Sequence, residues 1–257
     1  KGTTVNTKDL KMSTRLALGF SAMGALLVLI AAIALVKVAA IGGEFKTVTD
    51  DRYVKIVEAT AIKHELNDVA RATRNMLIMT DAADVKQQFD DVTESVKIIT
   101  DQLGKLDKSI ANEAGKAALA KVMAARAAYI PSRDKVLEQV KAGKLDEAKA
   151  TLLKENRPAQ LVYMNALDGL IKLQQDLMTK ASEDVDSSIT DTRIEVVVAL
   201  VVSFLIGSLM SLWIVRSTTG PLNMGVKVAR GVSEGDLAQQ FESGGQSETG
   251  QLLTALH

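Results

Sequence analysis

The residues most able to do chemistry sit where a helix should be apolar. Leu119, Val122, Arg126, Tyr129, Arg133, Val136 and Val140 follow one another at spacings of 3, 4, 3, 4, 3 and 4, so two arginines and a tyrosine occupy one face with four aliphatic residues. A guanidinium cannot be deprotonated, and burying it without a partner costs several kcal/mol, in the range of about 3 to 5 for a broken buried ion pair. Three outcomes are open: the head reaches water along its aliphatic stem, a protein carboxylate pairs it, or an anionic ligand does. Two arginine forks with a phenol between them could hold two or three carboxylates, which suggests a small di- or tricarboxylate of the malate or citrate type, held between helices.

Neighbouring helices must bring further groups to that level. Counting at 1.5 Å per residue from the membrane-distal turn, the second helix offers Thr93 and Thr100 at similar depth, and the first offers Arg71 near the upper limit with Arg74 higher. Glu94 and Asp101 are the nearest acids expected to compete for the arginines. Arg71 and Arg74 lie off the seam Ala59, Ile62, Leu66, Val69, Thr73 and Met76, so they contact the ligand, stand in solvent or face a second copy of the helix. His64 reads as a surface or satisfied bundle histidine. Met76, Met79, Met123, Met164 and Met178 read as core filling. Pro131, inside the candidate site, should kink its helix or free a carbonyl.

The helices that carry these residues follow from hydropathy and punctuation. Residues 16–36 and 196–215 are apolar and contain no Asp, Glu, Lys or Arg, and each is long enough for a bilayer core about 30 Å thick. The first exceeds the apolar core of a cleavable signal peptide, so it reads as a retained anchor. Two spans put both chain ends on one side of the membrane. Lys8, Lys11, Arg15 and Arg216 favour cytoplasmic ends, against Lys37 and Lys46 beyond the first span.

Between the spans the only prolines are Pro131 and Pro158, and no period-two alternation occurs, so helices are expected. The first should run unbroken from the membrane to about Thr80. The second should open at Asp84, with Gln87 three residues later, and carry Val85, Phe89, Val92, Val96, Ile99, Leu103 and Leu106 as a seven-residue seam. The third spans about 112–141 and ends at Ala142-Gly143-Lys144. A short helix over 146–154 follows, and Asn156-Arg157-Pro158 should start the fourth. Residues 42–80 and 158–195 would both be about 56 Å long as helices, which predicts an antiparallel up-down four-helix bundle standing on the membrane.

The 257 residues include 31 basic and 31 acidic side chains, two histidines and no cysteine. That balance gives no support to nucleic-acid binding. It also leaves no thiol nucleophile and too few soft ligands for a zinc or haem site. No nucleophile–base pair or phosphate-cradling loop is evident, so neither enzyme activity, catalytic residues, bound metal nor cofactor is expected.

After the second span come Arg216-Ser217-Thr218-Thr219-Gly220-Pro221-Leu222, then Gly235-Asp236-Leu237, then Ser247-Glu248-Thr249-Gly250-Gln251-Leu252. This order resembles a HAMP module, with a second helix that ends almost where it begins. With Ser13-Thr14-Arg15-Leu16-Ala17-Leu18-Gly19-Phe20, Asp51-Arg52-Tyr53, Ala70-Arg71-Ala72-Thr73-Arg74-Asn75 and Arg157-Pro158-Ala159-Gln160, the chain resembles the amino-terminal half of a bacterial methyl-accepting chemotaxis receptor with a four-helix-bundle sensor.

The resemblance implies a homodimer in the bacterial inner membrane with a periplasmic sensor. It implies relay through the second span and HAMP to a cytoplasmic signalling region, kinase and adaptor. The resulting organisation is an all-α chain: a cytoplasmic segment 1–15, a transmembrane helix 16–41, a ligand-binding bundle 42–195, a transmembrane helix 196–215 and a truncated HAMP module 216–257. Two other readings stay open: the sensor half of a histidine kinase, and a membrane-tethered structural bundle in which Arg126 and Arg133 pair with protein acids.

Overall fold

The computed structural model describes residues 11–234 and 251. The Gly235-Asp236-Leu237 connector and most of the second HAMP-like motif lie outside them, as does Lys8. Among the described residues the chain is helical throughout: α1 (Met12–Lys46), a π-helical segment (Thr47–Tyr53), α2 (Val54–Met76), α3 (Ala82–Ser109), α4 (Glu113–Lys141), α5 (Leu145–Thr151), a second π-helical segment (Leu152–Asn156) and α6 (Arg157–Ser233). They form two compact units. One comprises residues 41–188; the other takes the residues before 41 and after 188.

The 41–188 unit is a four-helix bundle around one hydrophobic core, and its seams are those the spacing predicts. Ala59, Ile62, Leu66, Val69, Thr73 and Met76 of α2 are all buried. On α3, Val92, Ile99, Leu103 and Leu106 are buried, with Val85, Phe89 and Val96 packed partly against them. Asn75 Nδ2 donates to Gln88 Oε1 at 3.1 Å between α2 and α3, and Lys63 of α2 pairs with Asp168 of α6. Of the methionines, Met76 is core, whereas Met123 is 43% exposed and fills nothing. His64 is exposed, beside Asp68.

Three helix boundaries differ from expectation. The first helix runs on from the membrane-spanning segment without a break, but to Met76 rather than Thr80. The hydroxyls of Thr47 and Thr49 donate back to the carbonyls of Gly43 and Phe45, at 3.4 and 3.3 Å, where the helix widens into its first π-helical segment. α2 then stops at Met76, because Leu77 N–H turns back to Arg74 O and its side chain tucks into the core.

α3 is capped by Asp81 rather than Asp84. The extended Asp81 backbone turns its carboxylate onto the amides of Ala83 (2.7 Å) and Asp84 (3.2 Å), which adds two alanines to the first turn. At the start of α4, Asn112 is the cap, its Oδ1 accepting from Gly115 N–H at 2.6 Å; a Cβ on Gly115 would lie 2.6 Å from Ile110 Cγ2, so glycine is required there. Gly143, with φ +70, makes the turn into α5. The expected break at Asn156-Arg157-Pro158 does not occur: α5 continues through the second π-helical segment, where Arg157 N–H reaches back to Leu152 O, into α6. Pro131 lies inside α4 without ending it.

In the other unit, α1 and α6 are each long and apolar enough to cross a membrane. Phe20 and Phe204 are 76% and 74% exposed there, a surface that water would penalise and lipid would cover.

Gln174 occupies a core position on α6 below Tyr163, Leu167 and Leu170, is completely buried, and neither of its amide atoms has a partner among the described residues. Orphaned buried amides cost about 1 to 3 kcal/mol. Gln174→Leu is therefore predicted to raise the stability of a 42–194 fragment by about 1 kcal/mol in urea denaturation.

Candidate functional site

α4 turns Arg126, Tyr129 and Arg133 toward a cleft in the bundle, which α2 walls with Val69, α3 with Val96 and Ile99, and α6 with Tyr163; Ile130 completes it. The space, open mouth included, is about 250 Å³, and side chains leave little of it free. A carboxylate ligand would have to displace the arginine side chains outward or part the helices.

The two arginines are treated differently. Arg133, whose side chain is 13% exposed, donates Nε and Nη2 to Asp134 Oδ1 at 2.8 and 2.6 Å. The competing acid is thus its chain neighbour, and neither Glu94 nor Asp101. Arg126 is half-buried, and Nη2 donates to the hydroxyl of Thr100 at 2.7 Å. Among the described residues no carboxylate lies within ion-pair distance of it. Thr100 Oγ1 itself donates to Val96 O at 2.8 Å, so one neutral oxygen is all that meets this cation.

Two tyrosines line the floor, their ring centroids 6.0 Å apart and tilted by 43°. Tyr129 is buried, and the nearby Asn156 Nδ2 donates to Ser132 Oγ at 3.3 Å. Tyr163, 1% exposed, has a buried hydroxyl with no partner among the described residues. Burial is the main cause that pushes both phenols up to about 12; Arg133 pulls Tyr129 back while Asp134 raises it, and Arg126 and Arg133 pull Tyr163 back while Tyr129 raises it. Both are hydrogen-bond donors at any physiological pH.

The remaining expected residues lie elsewhere. Thr93 is exposed, its hydroxyl donating to Phe89 O at 2.9 Å, and does not line the cleft. Arg71 is exposed and pairs with Asp68 at 2.8 Å, while Arg74 donates Nε to Ala70 O at 3.1 Å. Neither lines the cleft. Conversely, spacing on α4 does not reveal Tyr163, which reads as one more aromatic on an apolar seam; the only signal is a phenol whose hydroxyl needs a partner. Asp134 escapes notice because adjacent helical residues point apart unless a long side chain folds back.

Two helices of membrane-spanning length accompany an all-α bundle whose cleft is lined by two arginines and two tyrosines. Residues 9–189 match the family described as four helix bundle sensory module for signal transduction. The chain belongs to this family, a signalling sensor module and not an enzymatic domain. No curated protein matches the chain.

The phenols set an alkaline limit. Each is raised from an ordinary value of 10.0 to about 12, so both stay neutral in the fold while an unfolded chain ionises them. Their contribution is undiminished below pH 10 and falls away as pH rises toward 12. Thermal melts at successive pH values should show this fall, and Tyr129→Phe with Tyr163→Phe should flatten it.

Proposed function

We propose that the chain is the sensor portion of a bacterial transmembrane chemoreceptor that binds a small di- or tricarboxylate of the malate or citrate type in this cleft. Arg126 carries the reading: a permanently charged guanidinium at a cleft mouth, met among the described residues by one hydroxyl and no carboxylate, suits an external anion. The unpartnered hydroxyl of Tyr163 adds a donor at the floor. Arg133, engaged by Asp134 in the absence of ligand, would exchange that neighbour for a second ligand carboxylate. Thr100 hands Arg126 over, and the Tyr129 ring forms the wall.

Arg71, Arg74 and Thr93, all outside the cleft, enter this reading as groups available to a second subunit of a homodimer. The sensor unit faces the periplasm, with α1 and α6 crossing the inner membrane. Binding repacks the helices around a neutralised arginine, and the bundle passes that change through the second membrane helix and a HAMP module to the cytoplasmic kinase and adaptor. The motifs after residue 216 support that last step. A ligand shifts the receptor only by as much as it prefers one packing over the other.

Titration calorimetry on the 42–194 fragment tests the site. Malate, citrate or succinate should bind saturably and neutral amino acids should not. Arg126→Ala should abolish the heat, and Tyr163→Phe should weaken binding about tenfold, the scale of one hydrogen bond to a charged group. Silence across the acids from a folded fragment, or unchanged affinity in Arg126→Ala, would overturn the assignment.

A further inference from the structure

In the unit that holds the two apolar helices, α1 and α6 run antiparallel along a seam whose register is fixed at four places. At one end Arg15, 5% exposed, donates Nη1 to the carbonyl of Ser217 at 3.1 Å. At the other, Lys37 Nζ lies 3.0 and 2.9 Å from the two carboxylate oxygens of Glu195. Between them, Met23 fills a notch at Gly207 and Ile214 one at Gly19. A Cβ on Gly207 would come within 2.3 Å of Met23 Cε, and a Cβ on Gly19 within 2.9 Å of Ile214 Cδ1.

The spacing of the polar contacts is informative. From Arg15 to Lys37 on α1, and from Glu195 to Ser217 on α6, the helices rise by the same distance, about 33 Å. That matches a hydrocarbon core of about 30 Å, and residues 16–36 and 196–215 carry no charge. The two polar contacts therefore fall at the two faces of the bilayer, with no charged residue and two glycine notches between.

We propose that the Lys37–Glu195 ion pair and the Arg15–Ser217 contact are the two ends of a register latch that holds α6 at one axial setting against α1. A shift of one helical turn, about 5.4 Å, withdraws Glu195 from Lys37. The same shift brings Ser203 or Ser211 opposite Met23 in place of Gly207, so the methionine end must move aside to make room for a Cβ. Movements well below a turn are taken up by the flexible lysine stem. The latch thus separates small displacements, which it permits, from a change of register, which it opposes. It holds whatever ligand the sensor unit binds.

The chain has no cysteine, so introduced pairs report on a clean background. In membranes containing the full chain, Ile30→Cys with Ser203→Cys tests the native register, and Ile30→Cys with Ala199→Cys a setting one turn away. The native pair should cross-link faster. Glu195→Gln or Lys37→Gln should lower the ratio of native to displaced cross-linking about threefold to fivefold, the effect of losing a half-exposed ion pair. The exchanged pair Lys37→Glu with Glu195→Lys should restore it. Because the exchange keeps both charges at the same membrane face, it separates pairing from insertion. An unchanged ratio in both single variants, or an exchange no better than the singles, would overturn the latch.

Discussion

A guanidinium turned toward a helical bundle has to be matched by something, because it cannot shed its charge and its desolvation is not repaid by apolar neighbours. The organisation of the candidate site follows from that constraint. α4 places two arginines one helical heptad apart on a face otherwise made of Leu119, Val122, Val136 and Val140. The protein answers the deeper one, Arg133, with Asp134. It leaves the other at the mouth with only Thr100 Oγ1. Of the two tyrosines, Tyr163 keeps a buried hydroxyl that meets no partner among the described residues.

The helical seams were legible because burial in a bundle obeys one geometric rule. Val92, Ile99, Leu103 and Leu106 recur at the spacing that returns a side chain to one face, and they are in the core. Element ends were harder. Asp81 and Asp84 both stand at plausible cap positions, and only the extended backbone at Asp81 decides between them. The widening at Thr47 and Thr49 and the continuous passage past Pro158 depend on hydrogen bonds that skip a residue, which no pattern of residue types announces.

The site was legible in part, and the boundary is physical. Arg126, Tyr129 and Arg133 could be read because charges on an apolar seam break a rule. Which partner each one finds depends on side-chain conformation, so the Asp134 pairing and the Thr100 contact needed coordinates. Tyr163 breaks no rule and is identified only by its unpartnered hydroxyl. Arg71 and Arg74, three apart on α2, share an element with the cleft-lining Val69 yet point elsewhere, since three or four residues along a helix decide which neighbour a side chain meets.

The central claim is that Arg126 is held for a ligand rather than for the fold, and ligand-free stability separates those roles. Chemical denaturation of the 42–194 fragment, compared with Arg126→Met, keeps the aliphatic stem and removes the charge. The account predicts that Arg126→Met is as stable as the native sequence or more so, because an unmatched cation is relieved. A loss of about 3 kcal/mol, the size expected when a buried ion pair is broken, would contradict it and make Arg126 a structural residue.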